Sequence, residues 1–336
     1  MNQPVKNNIS ADKIFSIESR DFTSLALEVF RFQFEHNLVY QQFCKALKKD
    51  IALVNRIEAI PFLPISFFKS HTVTSTAFEP EVVFESSGTT QTINSHHLVK
   101  SISIYDKSFN AAFQMFYGDP AEWCIIALLP AYLERKNSSL VMMADKLMQQ
   151  SRHPQSGFYL DEFEKLKNTL QSLEKQQQKT LLIGVTFALL DFAEQYHLPL
   201  KYTTIMETGG MKGRREEMTR EQVHEILRNN FNIENIHSEY GMTELLSQAY
   251  SSGEGIFNCP PWMKILLREE DDPLALHSAD KSTILRGAVN IIDLANLYSC
   301  SFIASDDAGK LYPDGSFEIL GRLDNSDIRG CSLLAL

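Results

Sequence analysis

A short loop rich in hydroxyl and glycine residues lies in the first third of the chain. Backbone N–H and hydroxyl groups in such a run can surround phosphate oxygens, because successive amides form a concave donor nest. The run lacks a Gly-Lys pair, so it is not a Walker phosphate loop. Its composition fits an ordinary linker as well, and the loop alone leaves both interpretations open. The loop consists of Ser86, Ser87, Gly88, Thr89 and Thr90.

Three further stretches combine glycine with polar residues. METGGMKG and HSEYGMTE each follow a predicted strand, and a third stretch lies in a β-rich tail. In an open α/β sheet, ligands bind beyond the carboxyl ends of the strands. The positions of these stretches after strands, and their order along the chain, therefore indicate that they form one composite site. Each stretch alone also fits a turn, and Thr243 also fits the N-cap of a helix over ELLSQAY. The residues concerned are Gly209, Gly210, Tyr240, Gly241, Thr243, Glu244, Asp307 and Arg322.

The four stretches, in this order, resemble the adenylate-forming superfamily of acyl-CoA synthetases, peptide-synthetase adenylation domains and luciferases. The resemblance covers residues 86–330. Within the superfamily, LPAYLERKNSSLVMMADKL, TGGMKGRREEMTREQ and NIIDLANLYSCSFIASDDAG resemble the acyl-protein synthetase branch, the LuxE-type component of the luminescence fatty-acid reductase complex. No light-producing role follows from this resemblance.

The resemblance implies a role for each motif residue, and elementary chemistry suits each role. Any purine face can stack on an aromatic ring, an ionised carboxylate accepts hydroxyl donors well, and arginine presents planar donors. A glutamate beside phosphates requires a cation, and Mg²⁺ meets that need. The implied roles are polyphosphate binding by residues 86–90, a turn at Gly209-Gly210, adenine stacking by Tyr240 in the nucleotide loop that Gly241 continues, α-phosphate binding by Thr243, Mg²⁺ binding by Glu244, ribose binding by Asp307, and ribose or phosphate binding by Arg322.

Two features differ from the superfamily pattern. Gln91 stands where glycine is usual, and the next lysine is Lys100. The sequence also ends fifteen residues after Gly321, which leaves no room for the smaller domain whose lysine assists adenylation in most members. Acyl-protein synthetases are short in the same way. Lys212 and Lys100 are the candidates for the adenylation cation, although a lysine in either setting is more often a surface residue.

The cysteines are odd in number and form no CxxC pair, so neither a zinc site nor a redox dithiol is indicated. Cys331 follows Arg329 and Gly330, a setting that can lower a thiol pKa. The resemblance implies an acyl-accepting cysteine near the C-terminus, which matches Cys331; the alternative is a small buried apolar residue. The other four are expected to be structural: Cys44, Cys124, Cys259 and Cys300.

Composition bounds the class of protein. The 336 residues carry a formal net charge of -10, which argues against a duplex nucleic-acid surface. The N-terminus is polar and lacks the apolar segment of a secretory signal, and no apolar run reaches membrane-spanning length. A cytoplasmic protein with reduced thiols is expected.

Hydrophobic periodicity predicts a layered α/β fold. Apolar residues at helical spacing predict a helical start, including a helix over residues 22–47. Strands and helices alternate from residue 121, as in a largely parallel sheet, and the chain beyond residue 251 is β-rich. We therefore expect the large domain of the adenylate-forming fold over residues 1–250, a β-rich C-terminal subdomain over residues 251–336, and no small lysine domain.

The function expected is ATP-dependent activation of a carboxylic acid, by resemblance a long-chain fatty acid, as an acyl-adenylate. The acyl group then passes to a cysteine thiol as a thioester. ATP and Mg²⁺ are the expected cofactors, and an acyl reductase is the expected protein partner. The alternatives are a ligase that uses coenzyme A or a carrier protein, and a non-catalytic adenylate-binding subunit. His96 and His97 are expected either to line the pocket or to form a surface pair at a helix start.

Overall fold

The computed structural model describes residues 9–86, 93–130, 137–209, 218–270, 272, 274–277 and 283–323. Within these ranges, helices form the first part of the chain and then alternate with strands. The helices are α1 Ala11–Phe15, α2 Phe22–His36, α3 Leu38–Ala46, α4 Phe67–Ser70, α5 Ile102–Tyr117, α6 Ser139–Ser151, α7 Phe163–Lys175, α8 Thr186–Gln195 and α9 Arg220–Phe231.

The described strands form one large twelve-stranded sheet and one separate two-stranded hairpin. The large sheet has the order β11-β12-β13-β14-β10-β9-β8-β7-β6-β4-β5, and β1 pairs with β13. The strands are β1 Leu63–Pro64, β2 Val82–Glu85, β3 His96–Val99, β4 Cys124–Leu128, β5 Gly157–Tyr159, β6 Thr180–Val185, β7 Thr203–Thr208, β8 His237–Tyr240, β9 Ala249–Ser251, β10 Phe257–Asn258, β11 Met263–Arg268, β12 Leu285–Asp293, β13 Phe302–Leu311 and β14 Phe317–Arg322.

The parallel half of the sheet matches the predicted alternation of strands and helices. Strands β5, β4, β6, β7 and β8 run parallel as neighbours. Every residue of β4 and β6 is buried, because helices cover both faces of this half. Helix α9 begins with the predicted capping box, in which Thr219 and Gln222 each accept from the other's backbone N–H. The prediction of an α/β layered sheet is confirmed.

The predicted helix over residues 22–47 is in fact two helices. Helix α2 buries Leu25 and Val29, as the periodicity predicts, but ends at His36. Asn37 has an extended backbone, and its side chain accepts a hydrogen bond from the N–H of Tyr40 at 3.0 Å. Asn37 thereby becomes the N-cap of α3, since asparagine at this position satisfies an orphan donor of the first turn.

The chain beyond residue 251 is β-rich, as predicted. Strands β11, β12, β13 and β14 are antiparallel neighbours. Gly315 has φ +90°, and the N–H of Tyr312 donates to the carbonyl of Ser316, which closes the predicted hairpin turn. Strand β9 belongs to the same sheet as the parallel strands, so the sheet continues across residue 250. The division into two domains at that residue stays a prediction.

The helical N-terminal region is joined to the β-rich region by buried polar contacts. The amide of Gln33, on α2, is fully buried and donates to the carbonyls of Asn296 and Leu297, each at 3.0 Å. Its oxygen accepts from the N–H of Ser301 at 2.9 Å. Strand β1 also pairs in parallel with β13. These contacts connect parts of the chain that lie far apart in sequence.

Candidate active site

The site lies where the parallel strands β7 and β8 end. Gly209 follows β7 directly and has φ +69°, a left-handed conformation that glycine adopts without a steric penalty. The hydroxyl of Thr186 donates to the Gly209 carbonyl, which fixes the turn. Gly241 follows β8, and a Cβ placed there would lie 2.3 Å from an oxygen of Glu239. A side chain at Gly209 would therefore be strained, and one at Gly241 would require the side chain of Glu239 to move.

Tyr240, Asp307 and Arg322 come together across three strands, as the predicted nucleoside site requires. The Tyr240 hydroxyl donates to Asp307 Oδ2 at 2.8 Å, and Asp307 faces Arg322 across the β13–β14 ladder. Arg322 Nε lies 4.0 Å from Asp307 Oδ1, and the arginine side chain is 77% exposed. Burial raises the pKa of Asp307, although the Tyr240 hydrogen bond and the Arg322 charge act in the opposite direction. The buried carboxyl group of Asp307 therefore lies beside an exposed guanidinium.

The ring of Tyr240 is largely covered in this structure. It packs edge-on against Phe257 and Phe317, with ring centroids 6.0 and 5.6 Å away. Its contact with an adenine ring stays a prediction.

Glu244 is a buried carboxylate, only 6% exposed. Burial raises its pKa, while a hydrogen bond with the side chain of Ser95 and the positive charges of Lys69 and Arg322 lower it. An added cation at this position would favour the ionised carboxylate in the same way. Lys69, on α4, is a contributor that sequence reasoning missed, since a lone lysine on a short helix carries no motif.

The segment from Gly241 to Gln248 contains no helix, so the alternative that Thr243 caps a helix is wrong. Two buried side chains hold this segment in an extended loop instead. Asp293 Oδ2 accepts from the backbone N–H groups of Leu246 and Ser247, at 2.9 and 3.0 Å, and Asn296 donates to the Glu244 carbonyl at 2.7 Å. Burial raises the pKa of Asp293 to about 6, although these hydrogen bonds oppose the shift. Sequence reasoning missed both residues.

The predicted phosphate loop is anchored beside Glu244. Ser86 closes the base of the loop, because its N–H donates to the Ser95 carbonyl at 3.1 Å and its hydroxyl accepts from the Ser95 N–H at 2.8 Å. Ser95 in turn bonds to Glu244 through its side chain. The structure therefore brings Ser86 next to the proposed metal ligand.

The two histidines lie on strand β3 rather than at a helix start. His96 is exposed and lies 3.9 Å from Glu85. His97 is fully buried, with its two ring nitrogens within hydrogen-bonding distance of the Thr243 carbonyl and the Ser299 hydroxyl. The expectation of a surface pair is wrong for His97, because successive strand residues face opposite sides.

A buried ionic cluster lies beneath the Gly209 turn. Glu207 accepts from the Thr186 hydroxyl at 3.0 Å and lies 3.6 Å from Arg220 and 3.7 Å from His224. Burial alone would raise the pKa of Glu207, but hydrogen bonding to His224 and the Arg220 charge outweigh it, and the pKa lies below its usual value. Arg220 also donates to the Ile319 carbonyl at 2.9 Å, which joins α9 to β14. In the sequence, the arginine residues that follow Gly209-Gly210 are the feature that could have indicated this cluster.

Several predicted residues lie outside the described ranges, and their roles stay predictions. Of the two candidate adenylation cations, Lys100 lies with its ammonium 4.0 Å from the centre of the Tyr298 ring, a cation–π contact. The residues outside the described ranges are Ser87, Gly88, Thr89, Thr90, Gly210, Lys212 and Cys331.

The four cysteines expected to be structural have unreactive thiols. Burial raises the pKa of Cys44 to about 12 and that of Cys124 to about 11. Burial raises the pKa of Cys259 and Cys300 further still. Because the thiolate is the nucleophile, none of these four is suited to accept an acyl group near neutral pH.

The donor set fits a magnesium ion shared with phosphates. Mg²⁺ in nucleotide sites is usually held by one or two carboxylates together with phosphate oxygens and water. Glu244 supplies one carboxylate beside the anchored loop. Within the described ranges, no group of three or more His, Cys, Asp or Glu side chains forms an all-protein metal cage. The site is therefore suited to an ion that arrives with a polyphosphate.

The fold of this chain is similar to that of adenylate-forming enzymes. Its structure is similar to that of 2-hydroxyisobutyryl-CoA ligase in complex with 2-HIB-AMP and CoA, with a TM-score of 0.64 at 10% identity, over 97% of this chain and 75% of that one. It is also similar to ATP-bound MatB from Rhodopseudomonas palustris, with a TM-score of 0.53 at 14% identity, over 74% of this chain and 50% of that one. The chain thus spans half the length of MatB. Comparison with curated proteins gave no match.

The chain belongs to the LuxE acyl-protein synthetase family, whose model matches residues 12–335. The predicted family and fold class are confirmed. The family also supports the predicted enzyme class, an ATP-dependent ligase that activates an acid through an adenylate and transfers it as a thioester. Among the described residues, no helix has both the length and the apolar character that crossing a bilayer requires.

Proposed function

We propose that this chain activates a long-chain fatty acid with ATP and Mg²⁺ and then carries the acyl group as a thioester on Cys331. The observation that carries the proposal is the convergence of Tyr240, Asp307 and Arg322 with Glu244 beside the base of the 86–90 loop. These residues come from separate strands and loops, and their chemistry is complementary to a nucleoside joined to a polyphosphate.

In the first half-reaction, a carboxylate oxygen of the acid attacks the α-phosphorus of ATP, and the bond to pyrophosphate breaks. Asp307 and Tyr240 orient the nucleoside, and the amides of residues 86–90 and Gly209-Gly210 surround the phosphates. Thr243 donates to the α-phosphate. Mg²⁺ on Glu244, when bound, neutralises charge on the phosphates. The chain's part in this step is thus to position two anions for an in-line displacement.

In the second half-reaction, the Cys331 thiolate attacks the acyl carbon, and AMP leaves with the electron pair of the C–O bond. The raised thiol pKa values of the other four cysteines support Cys331 as the acceptor. Arg329 lies two residues before it and favours the thiolate electrostatically. The acyl group then passes to an acyl reductase in the cytoplasm, where thiols stay reduced.

Cys331→Ser separates the two half-reactions. The variant should exchange radioactive pyrophosphate into ATP, in the presence of a fatty acid, at the wild-type rate. It should lose hydroxylamine-labile labelling by radioactive fatty acid, because an oxygen ester resists hydroxylamine under mild conditions. Cys259→Ser is the matched control and should retain the label. Wild-type labelling of Cys331→Ser would place the acceptor elsewhere, and absence of exchange in the wild-type protein would refute the proposed function itself.

A further inference from the structure

The β2–β3 hairpin, which carries the 86–90 loop, stands apart from the large sheet. Its two strands pair with each other, with Phe84 opposite His97, and the described residues form no ladder between this hairpin and the twelve-stranded sheet. Pairing with the large sheet therefore does not set the position of the hairpin relative to Thr243 and Glu244. One backbone hydrogen bond, from the N–H of Glu85 to the carbonyl of Asn137 at 2.9 Å, ties the hairpin to the segment before α6, and side chains supply its contacts with Thr243 and Glu244.

Two buried side chains make these contacts: Ser95, which bonds to Glu244, and His97, which bonds to the backbone of Thr243. His97 lies on β3, is 1% exposed, and packs edge-on against Phe68 with ring centroids 5.6 Å apart. Its Nδ1 lies 3.0 Å from the carbonyl oxygen of Thr243, and its Nε2 lies 2.8 Å from the hydroxyl of Ser299. The ring thus joins the hairpin to the loop that precedes Glu244 and to the segment before β13.

The partners define the state of the ring. A carbonyl oxygen only accepts, so Nδ1 carries the proton and donates to Thr243. Nε2 then accepts from the Ser299 hydroxyl. Burial lowers the pKa of His97 to about 4, and the ring is neutral at physiological pH. With one tautomer and two partners at opposite ends, the ring has a single orientation.

We propose that His97 is a positioning residue that holds the β2–β3 hairpin, and with it Ser86 at the base of the proposed phosphate loop, in register with Thr243 and Glu244. This inference rests on the proposed function and deepens it. The Nδ1 hydrogen bond connects the loop's β strand to the backbone of Thr243, whose own side chain is assigned to the α-phosphate. A displaced hairpin would separate the polyphosphate donors from the metal ligand, and substrate positioning is sensitive to shifts on the order of 1 Å.

Three substitutions test the contact. In His97→Asn the side-chain amide nitrogen takes the place of Nδ1 and keeps the Thr243 bond. In His97→Gln the amide nitrogen takes the place of Nε2 and donates to the Ser299 hydroxyl instead of accepting from it, while the Thr243 bond is lost. His97→Phe fills the volume and removes both bonds, which leaves a buried carbonyl unpaired.

Two measurements are made on each variant. The first is hydrogen–deuterium exchange of peptides covering residues 93–99 and 241–248. The second is the KM for Mg·ATP and the kcat of pyrophosphate exchange. We expect His97→Phe and His97→Gln to raise amide exchange in both segments and to raise the KM on the order of tenfold, the effect of one lost hydrogen bond, with a smaller fall in kcat. His97→Asn should remain within about threefold of wild type in both measurements, well short of that tenfold effect.

Amide exchange at the wild-type rate in His97→Phe would overturn the inference. A wild-type KM for Mg·ATP in His97→Gln together with a raised KM in His97→Asn would overturn it as well. If His97→Phe does not fold, the comparison of the asparagine and glutamine variants still shows whether the bond to Thr243 positions the hairpin. If the wild-type protein lacks pyrophosphate exchange, the proposed function fails, whereas the deuterium measurement still tests whether His97 couples the two segments.

Discussion

Asp307→Ala tests the nucleoside half of the site most directly. An ionised carboxylate offers about four acceptor positions, and in this structure Tyr240 occupies one of them at 2.8 Å. The remaining positions are enough for both ribose hydroxyls. A hydrogen bond to a charged acceptor contributes about 1.5–3 kcal/mol, which corresponds to roughly tenfold to a hundredfold in an equilibrium or rate ratio. The wild-type enzyme should therefore prefer ATP to 2′-deoxy-ATP by about tenfold or more in kcat/KM, as a single such bond predicts.

The assay is fatty-acid-dependent pyrophosphate exchange with either nucleotide at saturating Mg²⁺. Asp307→Ala should lower kcat/KM for ATP and bring the preference close to one, because no acceptor remains for the 2′-hydroxyl. Tyr240→Phe is the matched control: it removes a hydroxyl that bonds to the same carboxylate, yet leaves Asp307 in place, and it should keep the preference. A folded Asp307→Ala variant with the wild-type preference would refute the assignment and make Asp306 the next residue to examine.

Glu244→Gln should lower Mg·ATP turnover on the order of a hundredfold, since the electrostatic stabilisation of the reacting phosphates is lost. AMP affinity, measured by calorimetry, should hardly change, and an equal loss of both would indicate a folding role. Lys69→Met should move the acid limb of the pH–kcat/KM profile to higher pH, because the lysine charge lowers the pKa of Glu244. Lys45→Met, on α3, is its control, and an unmoved limb would contradict the assignment. Asp293 has a folded pKa of about 6, above its ordinary value of 3.8, so its ionisation opposes folding. The unfolding free energy in urea should fall by about 2 kcal/mol as pH rises from 4 to 7, and Asp293→Asn should remove that part of the decline; an unchanged slope would assign it to another group.

Local patterns predicted the strands and helices that position the site. The continuous apolar runs of β4 and β6 are typical of strands covered on both faces, and the capping box of α9 is a local hydrogen-bonding pattern. The family resemblance grouped Tyr240, Asp307 and Arg322, and the structure places their side chains beside one another; their roles stay predictions.

Contacts set by tertiary packing could not be predicted in this way. Nothing in the pair His96-His97 says which ring is buried, since a shift of one residue in strand register exchanges the two faces. In the sequence, Asp293 and Asn296 look like ordinary residues at the end of a strand. In the structure, Asp293 bonds to Leu246, 47 residues earlier in the chain, and Asn296 bonds to Glu244, 52 residues earlier. Lys69 reaches Glu244 only because α4 packs beside β3.

The dependence of Gln33 on residues 296–301 has a consequence for biosynthesis. As the chain emerges from the ribosome, the buried amide of Gln33 has no partner until more than 260 further residues have been added. An unpaired polar group of this kind is costly to bury, and pairing over such a separation is slow. The nascent helical region should therefore keep its apolar face uncovered for most of translation. We therefore expect folding during synthesis to depend on chaperones, because the partners of the helical region are synthesised late.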